Sequence, residues 1–334
     1  MKTKVKDSKG QIVEVIDNYG VLNTPQAMRD ADTGIFFARE LEMKLAKAFE
    51  VKYPQFQARS LFPMNTEGGP WVDTIVAEYY NKIGVAEIGT GEETEMPRAD
   101  IKGGELRSVV RPIVTSFGYS WLEVQRAMHV GKALEQRRAN AAIHAYEYKL
   151  NNIAFFGDEK AGLEGFLTNT DVPNSAAAAT GTGSARTFAS KIANPQLIID
   201  DINALMAKPW SDSKMIHFPN TLLMPPDQYR LISETKASAY TDKTILQSLM
   251  ENNIFLKQGG KVLPVNELKG AGTGDSDIMV AFEYNSDNLE MYIPYDLNFF
   301  AVQQKGLQFV VPALGMTGGV IWRYPKSANI NYGI

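Results

Sequence analysis

The chain carries three histidines, His129, His144 and His217, and no cysteine. Thiolate nucleophiles, thiolate zinc sites and disulfides are therefore excluded. His144 and Glu147 are spaced i, i+3 on a helical stretch and share a face, as two metal ligands would. No further ligand stands at a matching spacing, and His-Glu-x-x-His is absent. The histidines read as surface or packing residues. Asp200 and Asp201 are the types for acid–base work, but adjacent helix positions point about 100° apart, so they read as a solvated face. Gly-x-Ser-x-Gly is missing, which removes the hydrolase elbow. Gly270, Gly272 and Gly274 give one stretch the glycine content of a phosphate-cradling loop, yet no Gly-Lys-Ser/Thr follows, and it reads as a plain loop. An enzyme using Asp/Glu chemistry in residues 191–295 stays open as an alternative, with converging carboxylates around a pocket as its mark. No cofactor is expected.

Those residues sit in a chain of 334 with net charge -4, 44% hydrophobic and 22% charged. Such a composition supports a packed core. The acidic balance argues against nucleic-acid phosphates as the main ligand. The polar start, Met1 to Asp7, is followed by no apolar h-region, and no apolar run approaches 18 residues. Neither a secretory signal nor a membrane-spanning helix is expected. At roughly 150 residues per domain, two domains are the prior.

Periodicity then places the elements. A short strand is predicted at Ile12 to Ile16, and a helix of about four turns from Gly34 to Tyr53, stopping before Pro54. Alternation predicts strand over 71–88 and again from Leu106 to Phe117. Between them, residues 89–104 hold glycines at both shoulders and charges at the tip. Ser120 and Glu123 form a capping box, which predicts a helix to about Val130. A break is predicted at Gly131 and Lys132, then one long helix from Ala133 to Phe155 ended by Gly157. Twenty-three residues at about 1.5 Å each give a rod of roughly 35 Å. Its buried side is predicted to carry Ala139, Ile143, Tyr146, Leu150, Ile153 and Ala154. Residues 157–190 read as loop, most flexible over 176–184. Beyond it come a helix started by Pro195, a buried strand at Thr221 to Met224, a helix opened by Pro225 and Pro226, and a helix from Ile245 to Met250. An extended segment (Val262 to Leu268), a strand at Ile278 to Phe282, a turn at 285–288 and a strand from Leu289 follow. The last forty residues read as strands at Phe299 to Val302, Leu307 to Val311 and Gly319 to Tyr324.

A β-arm of nearly fifty residues cannot bury both faces on its own chain, and a lone two-stranded ribbon is marginal in water. Trp71, Ile75, Tyr79, Ile83, Val109 and Ile113 would leave apolar patches in a monomer. The physics implies that other copies cover them. Glu92, Glu93 and Glu95 against Arg98 and Lys102 would set the register of that contact. Arg137 and Arg138 either form an ion-paired exposed face or touch a neighbouring chain.

This order of parts resembles the major capsid proteins of tailed bacteriophages, with the Hong Kong 97-like fold. Local stretches are similar too: Ala38 to Glu42, Val51 to Pro54, Ala58 to Pro63, Glu135 to Ala142 and Ile153 to Asp158, then Phe309 to Pro312, Gly318 to Ile321 and Tyr324-Pro325. The resemblance implies an α+β chain with an N-terminal arm and helix (1–65), an extended β-hairpin loop (66–118), a peripheral domain with a spine helix (119–190), an axial domain (191–295) and a β-rich return (296–334). It implies self-assembly into hexamers and pentamers of an icosahedral virion shell, with no catalysis and no metal. Gly270, Gly272 and Gly274 become a candidate loop at the symmetry axes. Portal, scaffold and decoration proteins are the further partners implied, with packaged DNA held by confinement, no membrane, and assembly in the host bacterial cytoplasm. Some relatives cross-link lysine to asparagine; Lys82, Lys102, Asn329 and Asn331 are of those types, with no basis for pairing them. A shell enclosing a protein cargo in a bacterial nanocompartment is the alternative on the same fold.

Overall fold

The computed structural model describes residues 3–6, 12–15, 54–86, 98–130 and 134–334. The helix expected over 34–53, the break at Gly131 and the arm tip with Glu92, Glu93 and Glu95 lie outside the described residues. The chain divides into two compact units, Met1–Pro54 and Gln55–Ile334. In the first, β1 (Thr3–Lys6) pairs antiparallel with β2 (Ile12–Val15).

The second unit opens with α1 (Ala58–Leu61) and β3 (Met64–Asn65). Next come β4 (Thr74–Ile83), β5 (Asp100–Val109) and β6 (Arg111–Ser120), then α2 (Trp121–Val130) and α3 (Leu134–Phe156). Past β7 (Asn174–Ala176) lie α4 (Phe188–Lys191), α5 (Gln196–Asp212), β8 (Thr221–Met224), α6 (Pro226–Glu234), α7 (Ile245–Asn252) and β9 (Lys261–Pro264). The remainder is strand: β10 (Ile278–Phe282), β11 (Leu289–Tyr292), β12 (Tyr295–Phe299), β13 (Gln303–Lys305), β14 (Gln308–Thr317), β15 (Gly319–Trp322) and β16 (Ala328–Tyr332).

One five-stranded sheet, ordered β7-β16-β10-β8-β9, organises the region around 191–295. Its strands β10 and β8 are buried at every position because both faces are covered, and β10 is apolar throughout. Leu223, Val280 and Phe282 point into one core, with Phe62, Phe155, Phe166 and Trp322. Leu222, Met224, Met279 and Ala281 point into the other, under Ile198, Ile202 and Leu205 of α5 and Ile245 and Leu249 of α7. Phe166 centres the first core: its ring lies 4.8 Å from Phe62, 5.4 Å from Phe282 and 5.3 Å from Trp322, stacked on the last.

Local signals explain several element ends. Helix α7 starts with a capping box in which the Gln247 N–H donates to the Thr244 hydroxyl and the Thr244 N–H to the Gln247 amide oxygen. At α2, the Glu123 half of the expected box is present: its carboxylate accepts from the Ser120 N–H at 3.1 Å. Gly157 ends α3 at φ +69°, and a Cβ there would meet the Leu163 carbonyl at 2.4 Å.

Four expectations need correction. The strand read from Leu106 to Phe117 is two strands, because the chain changes partner at Val110: β5 pairs with β4, and β6 with β14 over its whole length. Ile113 therefore packs against the core and does not belong to an exposed arm. On α3, Ile143 is exposed and Ala142 takes its place in the buried stripe. Near the end, β12 stops at Phe299 and β13 begins only at Gln303, so 300–302 is not strand. The stretch 176–184 is anchored, since Ala177 is buried and its N–H donates to the Tyr332 carbonyl.

Candidate assembly interface

The hairpin β4–β5 carries a run of large apolar side chains in water, Val76, Tyr79, Tyr80, Ile83, Ile101 and Leu106. Ten residue pairs hold it, Thr74 opposite Val109 through Ile83 opposite Asp100. Beyond Ala77 every residue of β4 is exposed, on both faces. Tyr80 is 69% exposed, Ile101 63% and Val85 70%, and Trp71 stands out at the root. At the far end, a cleft of about 570 Å³ is lined by Ile83, Val85, Ala86, Ala99 and Ile101. Two tyrosines cross the ribbon over the paired glycines: Tyr79 opposes Gly104 and Tyr80 opposes Gly103. Of the charged residues expected to set the contact, Arg98 and Lys102 lie at this end and are exposed, Lys102 opposite Asn81.

At the root, the hairpin runs into β6 and the helices. Arg137 is exposed on α3. Arg138 is engaged within its own chain. Its guanidinium donates to both Glu123 oxygens at 3.1 Å and to the Gly118 carbonyl, and it lies 5.7 Å from the Tyr119 ring centre. The Arg138 bonds first, and the Ser120 N–H second, hold the Glu123 carboxyl below the usual glutamate range. This one arginine ties α2, α3 and β6 together.

A second arginine ties the entry of the unit to the long helix. Arg59 on α1 grips Glu147 of α3 at 2.8 and 3.0 Å and Asp296 of β12 at 2.7 and 3.1 Å, both two-pronged. Burial works against the Arg59 charge, but the Asp296 and Glu147 bonds prevail and raise its pKa.

The glycine loop is tightly made. The Gly270 N–H donates to Asp277 at 3.0 Å, and the Gly272 N–H to the Ser276 carbonyl at 2.8 Å. A Cβ on Gly272 would meet the Ser276 hydroxyl at 2.5 Å. Gly270 and Gly274 take positive φ, as does Asp275.

The other chemistry-bearing residues are placed as follows. His217 pairs with Glu283 at 3.0 Å, and His144 lies 5.0 Å from the Phe56 ring. Asp200 accepts from Gln196 on an exposed face. Asp201, expected beside it in solvent, is buried. It falls on the same helical face as Ile198, Ile202 and Leu205, and the fully buried Lys191 meets it there. Sequence reasoning missed that ion pair, because its lysine sits ten residues away across a loop. Asn329 and Asn331 are buried in the sheet, bonded to the Leu205 carbonyl and the Ser175 hydroxyl, which removes them as accessible cross-linking partners. Between α5 and α7 lies a cleft of about 430 Å³ whose lining, Gln196, Asn203, Asn252 and Phe255 among it, has no carboxylate. Among the described residues, no cluster of three metal-ligating side chains occurs, and no helix is long and apolar enough to cross a membrane.

Comparison with known proteins fits these parts to a pattern. No curated protein matches the sequence. Solved structures do match the fold. The capsid of Myoviridae phage XM1 superposes with a TM-score of 0.75 at 17% identity, covering 89% of this chain and 98% of that one. The capsid of a native GTA particle gives 0.60 at 10% identity, with 95% and 99% covered. Mycobacterium phage Ogopogo gives 0.56 at 13% identity, with 90% and 98% covered. The α+β architecture is thus the Hong Kong 97-like capsid fold. The model of the family described as "Major capsid protein" matches residues 84–334, three quarters of the chain. The chain belongs to the major capsid protein family, and its work is to build an icosahedral virion shell.

Proposed function

We propose that copies of this chain gather into hexamers and pentamers that close a shell around double-stranded phage DNA. The reading rests on the β4–β5 hairpin, which exposes Tyr80, Val85 and Ile101 on a ribbon too thin to bury them. A neighbouring copy is the cover that a shell supplies at every position. On this reading, 66–118 is the loop laid over a neighbour, and 119–190 with 296–334 the peripheral domain carrying the spine helix α3. Residues 191–295 form the axial domain, with Gly270, Gly272 and Gly274 toward the symmetry axes. Arg98 and Lys102, with Glu92, Glu93, Glu95 and Arg137, supply charged contacts between subunits. The role is structural, without a catalytic step.

A net charge of -4 suits a lining that confines DNA without adhering to its phosphates. Assembly takes place in the host bacterial cytoplasm, with portal, scaffold and decoration proteins as partners. Negative-stain microscopy of the purified recombinant protein tests the proposal. Shells, tubes, hexamers or pentamers are the expected result. A monodisperse monomer at high concentration overturns it.

A further inference from the structure

The edge of β6 that faces away from β14 has a gap in its backbone bonding. The Trp121 N–H donates to the Leu307 carbonyl at 2.8 Å, so 121 and 307 are a bonded pair of this antiparallel ladder. Alternation then turns 111, 113, 115, 117 and 119 toward β14, and 112, 114, 116, 118 and 120 outward. Two contacts confirm that parity: the Ser120 N–H reaches Glu123, and the Gly118 carbonyl is taken by Arg138. The N–H and C=O of Val114 and of Ser116 have no partner among the described residues. Pro112, which has no N–H, closes one end of the gap and Arg138 the other. The Val114 side chain beside it is 74% exposed.

The hairpin has open edges too. The Val110 N–H donates to the Asp73 carbonyl, so 73 and 110 are a bonded pair. Val76, Glu78 and Tyr80 of β4 therefore turn their backbone groups away from β5, as do Ile101, Gly103, Glu105 and Arg107 of β5. The β5 edge is the poorer one. Asp100 already caps the Ile101 N–H at 2.8 Å, and Gly103 lacks a side chain. The β4 edge has neither defect, contains no proline, and sets exposed Val76 and Tyr80 on one face.

We propose that the 112–116 edge of β6 receives strand β4 of a second copy, backbone to backbone, with Val76 and Tyr80 covering Val114. This rests on the shell reading, which brings copies together. The two edges differ, so the contact is head-to-tail and repeats around a ring. Pro112 and Arg138 limit it to the few residues between them, which keeps the edge from pairing at random.

Proline at an outward position deletes the docking N–H and leaves the β14 ladder intact. Val114→Pro and Ser116→Pro are compared with Val114→Thr and Ser116→Ala, which keep the N–H. The proline variants are expected to melt as folded subunits and to need a roughly tenfold or higher concentration to form particles. The controls are expected to assemble like the parent chain. Hydrogen exchange on the unaltered protein is the second measurement: the Val114 and Ser116 amides should be protected in particles and open in free subunits. Folded proline variants that assemble normally overturn the proposal. So does equal exchange in the two states, which decides the matter if the proline variants unfold. An unaltered chain that forms no particle at all overturns the shell reading and this contact with it; shells from both parent and proline variants overturn the contact alone.

Discussion

The Lys191 ammonium, with no exposed side-chain surface, is held by the buried Asp201 carboxylate and donates a second bond to the Ala178 carbonyl at 2.7 Å. The pair joins α4 and the chain after β7 to the inner face of α5. Burial pushes the Asp201 carboxyl up, against the pull of the lysine. Removing one partner strands the other charge. Lys191→Ala is expected to cost about 3–5 kcal/mol, read from denaturant unfolding of the subunit. The double change Lys191→Met with Asp201→Leu is expected to lie within about 1–2 kcal/mol of the parent, because both charges leave the core together.

Asp296 supplies a pH dependence. Burial raises its carboxyl, and the Arg59 bonds with the Leu297 N–H outweigh that, so it ends below the usual aspartate range. A carboxylate depressed in the folded state binds its proton less readily than the unfolded chain does. Its stabilisation is complete above the unfolded value of about 3.9 and is lost as pH falls through the lower folded value. Urea unfolding across about pH 5 to 2 should show stability declining as the solution is acidified. Asp296→Asn should flatten that decline and leave stability near pH 7 lower than the parent.

Arg59 grips two carboxylates with one planar fork, which a lysine cannot copy. Arg59→Lys is expected to destabilise by about 1–2 kcal/mol in thermal unfolding. A neutral result would show that the α1 junction does not depend on two-pronged geometry.

Phe166 touches four aromatic rings in the first core. Phe166→Ala should cost about 3–5 kcal/mol in the same assay.

At Gly104 the outcome should divide the other way. A Cβ there would meet the Tyr79 ring at 2.4 Å, and Tyr79 is free to swing into solvent. Gly104→Val should leave the melting of the subunit within about 0.5 kcal/mol of the parent. Particle yield by microscopy should drop, since the surface that the hairpin presents has changed.

Much of this architecture was legible in residue patterns. Glu123, three residues after Ser120, marked the start of α2, and the run Thr221–Met224 announced a strand covered on both faces. The exposure expected of the ribbon held for Trp71, Tyr79 and Ile83, whereas Ile75 and Val109 are half-buried at its root. What stayed hidden depends on contacts distant in sequence. The stretch Leu106 to Phe117 alternates without interruption, so nothing local reveals that its partner changes from β4 to β14. Pro112 is the one clue, since it fits a position whose N–H points away from the sheet. Asp201 looked like its neighbour Asp200 until Lys191 was seen beneath it.

Val110 is almost fully buried, is the single residue between the two strands, and is bonded to Asp73. The long ribbon is thus mounted on a jamb and not on a tether. A push against its outer end cannot dissipate in slack chain; it arrives as torque on Val110 and passes into β14, whose edges are occupied by β6 on one side and by β12 and β13 on the other.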